Sequence, residues 1–309
     1  MGSAILGRVS RRSWLLLLLL ASFWGASYLF IKLALEDLSP PMIVFVRTGL
    51  AAALLLAIAA RLGALGGIRE RLRPIAVLAL VQVAGPFLLI AAGEEHVSSS
   101  LAGILVASAP IFTALLAVWV DHEERSHGLS LAGVALGMAG VALLLGLDTG
   151  GGAAALAGGL MVVLASLGYA IGGLYLKRRL SGVAPIGVGG AAMAVSALAT
   201  APFAAATLPD SLPGGRSAGA LAALAILGTG LSFWIFYTLI ATEGPAKASL
   251  VAYVAPAFAV VYGVTLLDER FTVFTLAGLV LIVGGSWLAA EGRFPGRRGL
   301  PEAPAPDAA

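Results

Sequence analysis

One stretch of this chain occurs twice, and the repetition limits its possible folds more than any single motif does. Ala102-Gly-Ile-Leu-Val-Ala-Ser-Ala-Pro110 aligns without a gap on Ala248-Ser-Leu-Val-Ala-Tyr-Val-Ala-Pro256. After one dropped residue, Glu124-Arg125 falls on Glu269-Arg270, Leu131-Ala132-Gly133 on Leu276-Ala277-Gly278, and Gly140 on Gly285. Each copy, Ser98 to Gly146 and Gly244 to Gly292, reads as an apolar helix carrying Ala-Pro, an acidic turn, and a glycine-spaced apolar helix. The offset is close to half the chain, so the molecule is an internal duplication.

The setting of that duplication is a membrane. Of 309 residues, 60% are hydrophobic and only 11% charged, with a mean hydropathy of +1.00. A water-soluble domain of this make-up would expose far more apolar surface than water tolerates. The apolar residues come in runs of about 20, enough at about 1.5 Å per residue to cross a hydrocarbon core of about 30 Å. Ten such spans are expected, at 13–35, 41–62, 74–93, 98–120, 129–147, 155–176, 184–206, 218–241, 247–267 and 272–290. Forty glycines suit close contact between membrane helices. No cysteine is present, which excludes disulfides, thiolate metal sites and cysteine nucleophiles.

The repeat unit holds five spans, residues 13–147 and 155–290. Span one has its partner in span six: Leu20-Ala21-Ser22 returns as Leu164-Ala165-Ser166, and Pro41 of span two as Pro185 of span seven. Arg11-Arg12-Ser-Trp followed by a leucine run could also open a signal peptide, but that pairing marks it as structure. Five is odd, so the second copy enters the membrane from the opposite side. The expected fold is an all-α bundle of ten transmembrane helices in two inverted five-helix repeats, with a substrate site near the midplane between them. Fifteen of the nineteen basic residues fall on one side of these spans, among them Arg61 to Arg73 and Lys177 to Arg179. Positive-inside bias makes that side cytoplasmic and puts both termini there. Residues 1–12 are then a cytoplasmic lead, and 291–309 a disordered cytoplasmic tail rich in Pro, Ala and Arg.

The quoted motifs resemble a known family. Trp24-Gly25-Ala26-Ser27, Ala109-Pro110 and Ala255-Pro256, the turns at Glu124-Arg125 and Asp268-Glu269-Arg270, and the Leu-Ala-Gly helices after them are similar to the EamA family of the drug/metabolite transporter superfamily. The resemblance spans roughly residues 13–290. It implies a ten-helix carrier with a central cavity for small metabolites, amino acids or drugs. The turn Asp121-His-Glu-Glu-Arg125, with three acids, departs from the family pattern.

Arg47 is the sharpest single position, about 9 Å inside the bilayer edge. An ionisable side chain at such depth is a functional candidate, here an anchor for a substrate carboxylate. The alternative is a structural pairing with Glu36, Asp37 or helix-end carbonyls, or snorkelling to the surface. Trp24, Tyr28 and Lys32 form one stripe of span one. Trp24 and Tyr28 are candidate cavity wall, and Lys32 is expected to snorkel. Gln82, Ser108, Ser166, Tyr169, Ser232, Tyr237 and Tyr253 complete the candidate substrate-binding set, with Tyr175 and Trp234 as further aromatic groups at depth. Each serine can instead bond a carbonyl of its own helix. Pro86, Pro110 and Pro256 are expected to kink their helices, with gating as the functional reading. Gly133 and Gly137 in span five, and Gly278, Gly284 and Gly285 in span ten, are expected to pack the two halves together. Glu124 and Glu269 are expected to serve as loop partners of Arg125 and Arg270.

No Asp or Glu lies inside an expected span, so a buried carboxylate proton relay has no carrier. The three histidines fall in loops, and no metal spacing, phosphate loop, catalytic triad or nucleic-acid motif is present. The expected activity is a secondary-active or facilitative transporter of small organic metabolites working by alternating access. Export is the favoured direction, in a bacterial inner membrane, with proton coupling left open, no cofactor and no required oligomer. The rival readings are a membrane-embedded lipid-modifying enzyme and a non-transporting scaffold.

Overall fold

The computed structural model describes residues 11–120, 128–148 and 152–291. Among the described residues there are helices and no strand. The ten spans are α1 (Arg11–Ala34), α2 (Pro40–Arg61), α3 (Arg69–Glu94), α4 (Ser99–Val106 and Ala109–Val120), α5 (Gly128–Leu143), α6 (Gly152–Arg179), α7 (Pro185–Ala206), α8 (Gly215–Glu243), α9 (Val251–Leu266) and α10 (Val273–Glu291). Nine are long and apolar enough to cross a membrane, and α9 is the shorter one, preceded by the helical turn Pro245–Ala248. The terminal segments 1–10 and 292–309 and the turn 121–127 with Glu124 lie outside the described residues.

Local chemistry sets the ends. Ser39 accepts the Met42 amide and Ser98 the Leu101 amide, each capping the helix that follows. Prolines open α2 and α7, where a missing N–H costs nothing. Gly244, with φ +86°, ends α8 and turns the chain into Pro245.

The packing carries the mark of a two-fold relation. α2 lies along α7 and α5 along α10, so two helices of the first repeat touch their own images in the second. The contact of α1 with α9 matches that of α6 with α4, α1 with α8 matches α6 with α3, and α2 with α8 matches α7 with α3. Gly133, Gly137 and Gly285 make the α5–α10 seam: a Cβ on Gly285 would meet Gly137 backbone, and one on Gly133 would meet backbone of Gly285, Leu288 and Ala289. Gly278 faces Leu144 across the same seam. Gly284 departs from the expectation, since it is exposed and nothing lies within 4 Å of its Cβ position.

Two image helices share an irregularity. α3 contains a π-helical turn, Ala79–Ala84, and α8 another, Ile226–Leu231. Such turns shift the hydrogen-bond ladder by one residue and concentrate at functional sites. In α3 the turn lies directly before Pro86, which has no N–H to continue the ladder. Pro110 follows an interruption at Ala107-Ser108, whereas Pro256 sits within the continuous helix α9. The prolines match in sequence, but the break in the second copy falls earlier, at Ser249-Leu250.

On the face holding the α1–α2 and α7–α8 connections, the Asp37 carboxylate accepts the Gly214 amide at 2.8 Å, Glu36 pairs with Arg216 at 3.4 Å, and Ser39 meets Thr207 at 2.7 Å. Hydrogen bonds from Ser217 and from the Gly214 amide hold the Asp37 carboxyl below its ordinary value. A carboxylate depressed in the folded state adds stability above its unfolded pKa, and that stability is lost as pH falls through the folded value. The tie between these connections should therefore weaken in acid. Asp37→Asn should flatten the acid limb of a thermal-stability profile measured against pH, with no change at neutral pH in that pH dependence. An unchanged acid limb would show that Asp37 contributes nothing to it.

Candidate functional site

The centre of the bundle is built around Arg47. α2 carries it two turns inward from the Ser39 cap, and it is 6% exposed. Its Nε donates to Thr229 Oγ1 at 2.8 Å, and its guanidinium lies over the Phe87 ring, 3.7 Å from the centroid. That stacking is a favourable cation–π contact in a desolvated place. Thr229 is positioned by the π-turn of α8, where its hydroxyl donates to the Leu224 carbonyl five residues back. Gly228 and Gly230 on either side let this turn wedge between Ser27 of α1 and Leu54 of α2. Glu36 and Asp37 are engaged elsewhere, so the alternative pairing of Arg47 with either acid is not what forms. Among the described residues no carboxylate lies at ion-pair distance from Arg47.

Tyr28 of α1 and Tyr169 of α6 border the same core cluster as Met42 and Val46 of α2, the turn that carries Arg47. Tyr28 lies over Gly103 of α4, where a Cβ would collide with the Ala259 methyl of α9 and crowd the Tyr28 ring. Arg47, Tyr28 and Tyr169 thus come together from α2, α1 and α6, with Thr229 of α8 and Phe87 of α3 completing the group.

Trp24 packs with Phe233 and Phe236 of α8, centroids 6.1 and 5.2 Å away, and Tyr237 lies tilted against both phenylalanines. Tyr237 also covers Gly189 of α7. Gln82, on the π-turn of α3, lies flat against Gly172 of α6. Tyr253 faces outward from this centre to Trp287 of α10 at 5.3 Å. Trp234 is 42% exposed, and Tyr175 borders the core formed by α2, α3 and α7.

The serines answer the backbone. Pro110 frees carbonyls in α4, and Ser108 donates to Leu105 O at 2.7 Å while Ser286 of α10 donates to Ala107 O at 2.6 Å. Ser166 donates to Val162 O of its own helix at 3.2 Å and lies 3.3 Å from the Leu105 carbonyl and 3.5 Å from that of Val106. Ser232 donates to Leu227 O at 2.6 Å within the α8 π-turn, and Ser196 of α7 reaches Ala79 O in the α3 π-turn. Broken ladders in a membrane need such partners, because no water is there to supply them.

Sequence reasoning missed two acids. Glu94, the last residue of α3, is wholly buried, which overturns the expectation that no acid lies within a span. Only its place at the junction Gly93-Glu94-Glu95 could have signalled it. Lys32, half-buried, donates its ammonium to the carbonyls of Glu94 and Val97 at the α3–α4 turn, at 2.5 and 2.9 Å. Glu269, expected beside Arg270, instead accepts the amides of Ser99 and Ser100 at 2.7 and 2.9 Å and the Ser100 hydroxyl, capping α4. Asp268, at φ +53°, makes the bend that turns Glu269 inward, and Gly263 leaves the room.

Among the described residues no group of three or more metal-ligating side chains is present. A solved crystal structure is similar to this chain with a TM-score of 0.65 and 20% identity, covering 92% of this chain and 98% of that one, which shows the fold. The inner membrane transporter YedA of Escherichia coli K12, described as uncharacterized, is 28% identical over 277 residues, 88% of each chain. A transporter of Archaeoglobus fulgidus is 27% identical, covering 91% of this chain and all of that one. An Escherichia coli K12 protein described as "Probable amino-acid metabolite efflux pump" is 26% identical, covering 92% of this chain and 96% of its own. The model of the EamA-like transporter family matches residues 12–146 and again 156–290. A ten-helix membrane chain whose two halves each match that model belongs to the EamA-like transporter family.

Proposed function

We propose that this transporter carries small organic metabolites bearing a carboxylate, amino acids among them, by alternating access between its two repeats. Arg47 supports the reading most directly. It is a guanidinium held rigid by Thr229 and Phe87 at membrane depth, with no carboxylate at ion-pair distance among the described residues. Guanidinium matches carboxylate in a planar, two-bonded fork. Tyr28 and Tyr169 supply hydroxyls beside it, and Trp24 an apolar wall. The π-turns of α3 and α8 flank the group as image elements, which suits a site served alternately from either side. The name of the efflux relative supports export of amino-acid metabolites. The bias of basic residues supports cytoplasmic termini, with the α1–α2 and α7–α8 connections outside.

Purified protein in liposomes preloaded with unlabelled amino acids should accumulate external radiolabelled amino acids by counterflow, saturably and beyond protein-free liposomes. Accumulation equal to that of empty liposomes across the amino-acid set would overturn the substrate class. A reporter fused at residue 309 should be active only in the cytoplasm, and an external signal there would reverse the orientation.

A further inference from the structure

The wholly buried acid Glu94 has no part in the substrate reading. Neither of its carboxyl oxygens has a hydrogen-bond partner among the described residues. α1 faces it with Lys32 and Tyr28, α2 with Arg47, and the α9–α10 connection with Glu269. On the side of α6, Gly93 packs against the Gly158 backbone and the Val162 side chain, neither of them titratable. Glu95 and His96, which follow in sequence, are both exposed. The Lys32 ammonium is within hydrogen-bond distance of this residue, yet it is held by the main-chain carbonyls of Glu94 and Val97 rather than by the carboxyl group. An ionised carboxylate out of water and without a donor is among the least favourable arrangements a protein can hold, whereas the acid form carries no charge to desolvate.

We propose that Glu94 is a proton-binding site that couples transport to pH: neutral in the closed arrangement described here, ionised when the end of α3 opens to water. The proposal rests on the carrier reading of the site. On opening, the carboxyl O–H bond breaks, its electron pair stays on the oxygen, and the proton passes to water. The carboxylate then draws the Lys32 ammonium away from the Glu94 and Val97 carbonyls. Those carbonyls are the ties that hold the α3–α4 turn against α1, so loss of the proton loosens the turn. Return of the proton restores the lysine to them. Glu269 works in the same place: it holds the start of α4, and its negative charge disfavours a second carboxylate nearby.

The chain has no cysteine, so a single reporter needs no background removed. Ser99→Cys puts a thiol at a wholly buried position at the start of α4, and Ser211→Cys puts one on the exposed α7–α8 connection. Thiols react faster as pH rises in any setting, so the ratio of the two labelling rates is the readout. With a membrane-impermeant maleimide on the full chain in lipid nanodiscs, that ratio should rise about tenfold from acid to alkaline pH. In a Glu94→Gln background it should stay low and flat. Infrared difference spectra of the otherwise unmodified chain should show a protonated carboxyl stretch that is absent in Glu94→Gln and kept in Glu269→Gln. A ratio that does not change with pH, a rise that persists in Glu94→Gln, or a carboxyl band untouched by Glu94→Gln would each overturn the proposal. None of these measurements uses a transported substrate, so absence of counterflow in liposomes would fall on the carrier reading alone.

Discussion

Gly285→Leu should leave almost no folded protein, while the same change at the adjacent Gly284 should pass unnoticed. A Cβ on Gly285 falls on the amide and Cα of Gly137 and the carbonyl of Gly133. These are backbone atoms of α5, which cannot swing aside as a side chain can. Overpacking a core typically costs about 1–3 kcal/mol, and a bulky residue that must push α5 and α10 apart along their length should reach about 3 kcal/mol or more. That is a large fraction of the stability a folded chain has in reserve. Gly284 is exposed with nothing near its Cβ position, so Gly284→Leu should fall within about 0.5 kcal/mol of the parent. Yield of monodisperse protein and its thermal midpoint in one detergent would decide the matter. Equal behaviour of the two variants would mean that the α5–α10 seam does not join the halves.

Arg47→Lys should fold but lose counterflow by about 10- to 100-fold, the equivalent of one charge-assisted hydrogen bond worth about 1.5–3 kcal/mol. Lysine keeps the charge but gives up the planar fork, the hold of Thr229 on Nε, and the stacking on Phe87. Arg47→Ala should lose more, since the substrate carboxylate would then enter the bundle with no cation to meet it. Thr229→Val tests the mounting rather than the charge, and its loss should be smaller than that of Arg47→Lys. Full counterflow in Arg47→Lys would reduce the residue to a brace between α2, α3 and α8.

Most of the architecture is legible in the sequence because membrane crossing is a property of apolar length. The ten runs, the duplication and its odd count lead directly to helices that touch their own images, as α2 does α7. The site is legible only where one residue is out of place on its own terms, as Arg47 is. Glu94 hides because Gly93-Glu94-Glu95 reads as a helix end reaching water, and only the approach of α1, with Lys32 on the carbonyls, shows that the end is covered. Ser108, Ser166 and Ser232 look like cavity hydroxyls in one dimension. Each instead bonds a carbonyl of its own helix, Leu105, Val162 and Leu227 respectively, and for Ser232 that carbonyl lies in a π-turn, which leaves no periodicity to read. Gly284 and Gly285 are identical in sequence, and only the rotation of α10 separates the seam from the surface.

The contacts between repeats also bear on how this molecule is made. α1 finds its main neighbours in α8 and α9, α2 in α7, α3 in α6 and α7, α4 in α6 and α9, and α5 in α10. None of these main partners belongs to the half that a ribosome completes first. The first five helices therefore leave the translocation machinery as inserted but unassembled segments. They must wait in lipid, with the Arg47 charge unsheltered by Thr229, until the remaining helices arrive. Assembly of the tertiary structure is thus a late event in biosynthesis, and a chain that stops after Asp148 has a topology without a fold.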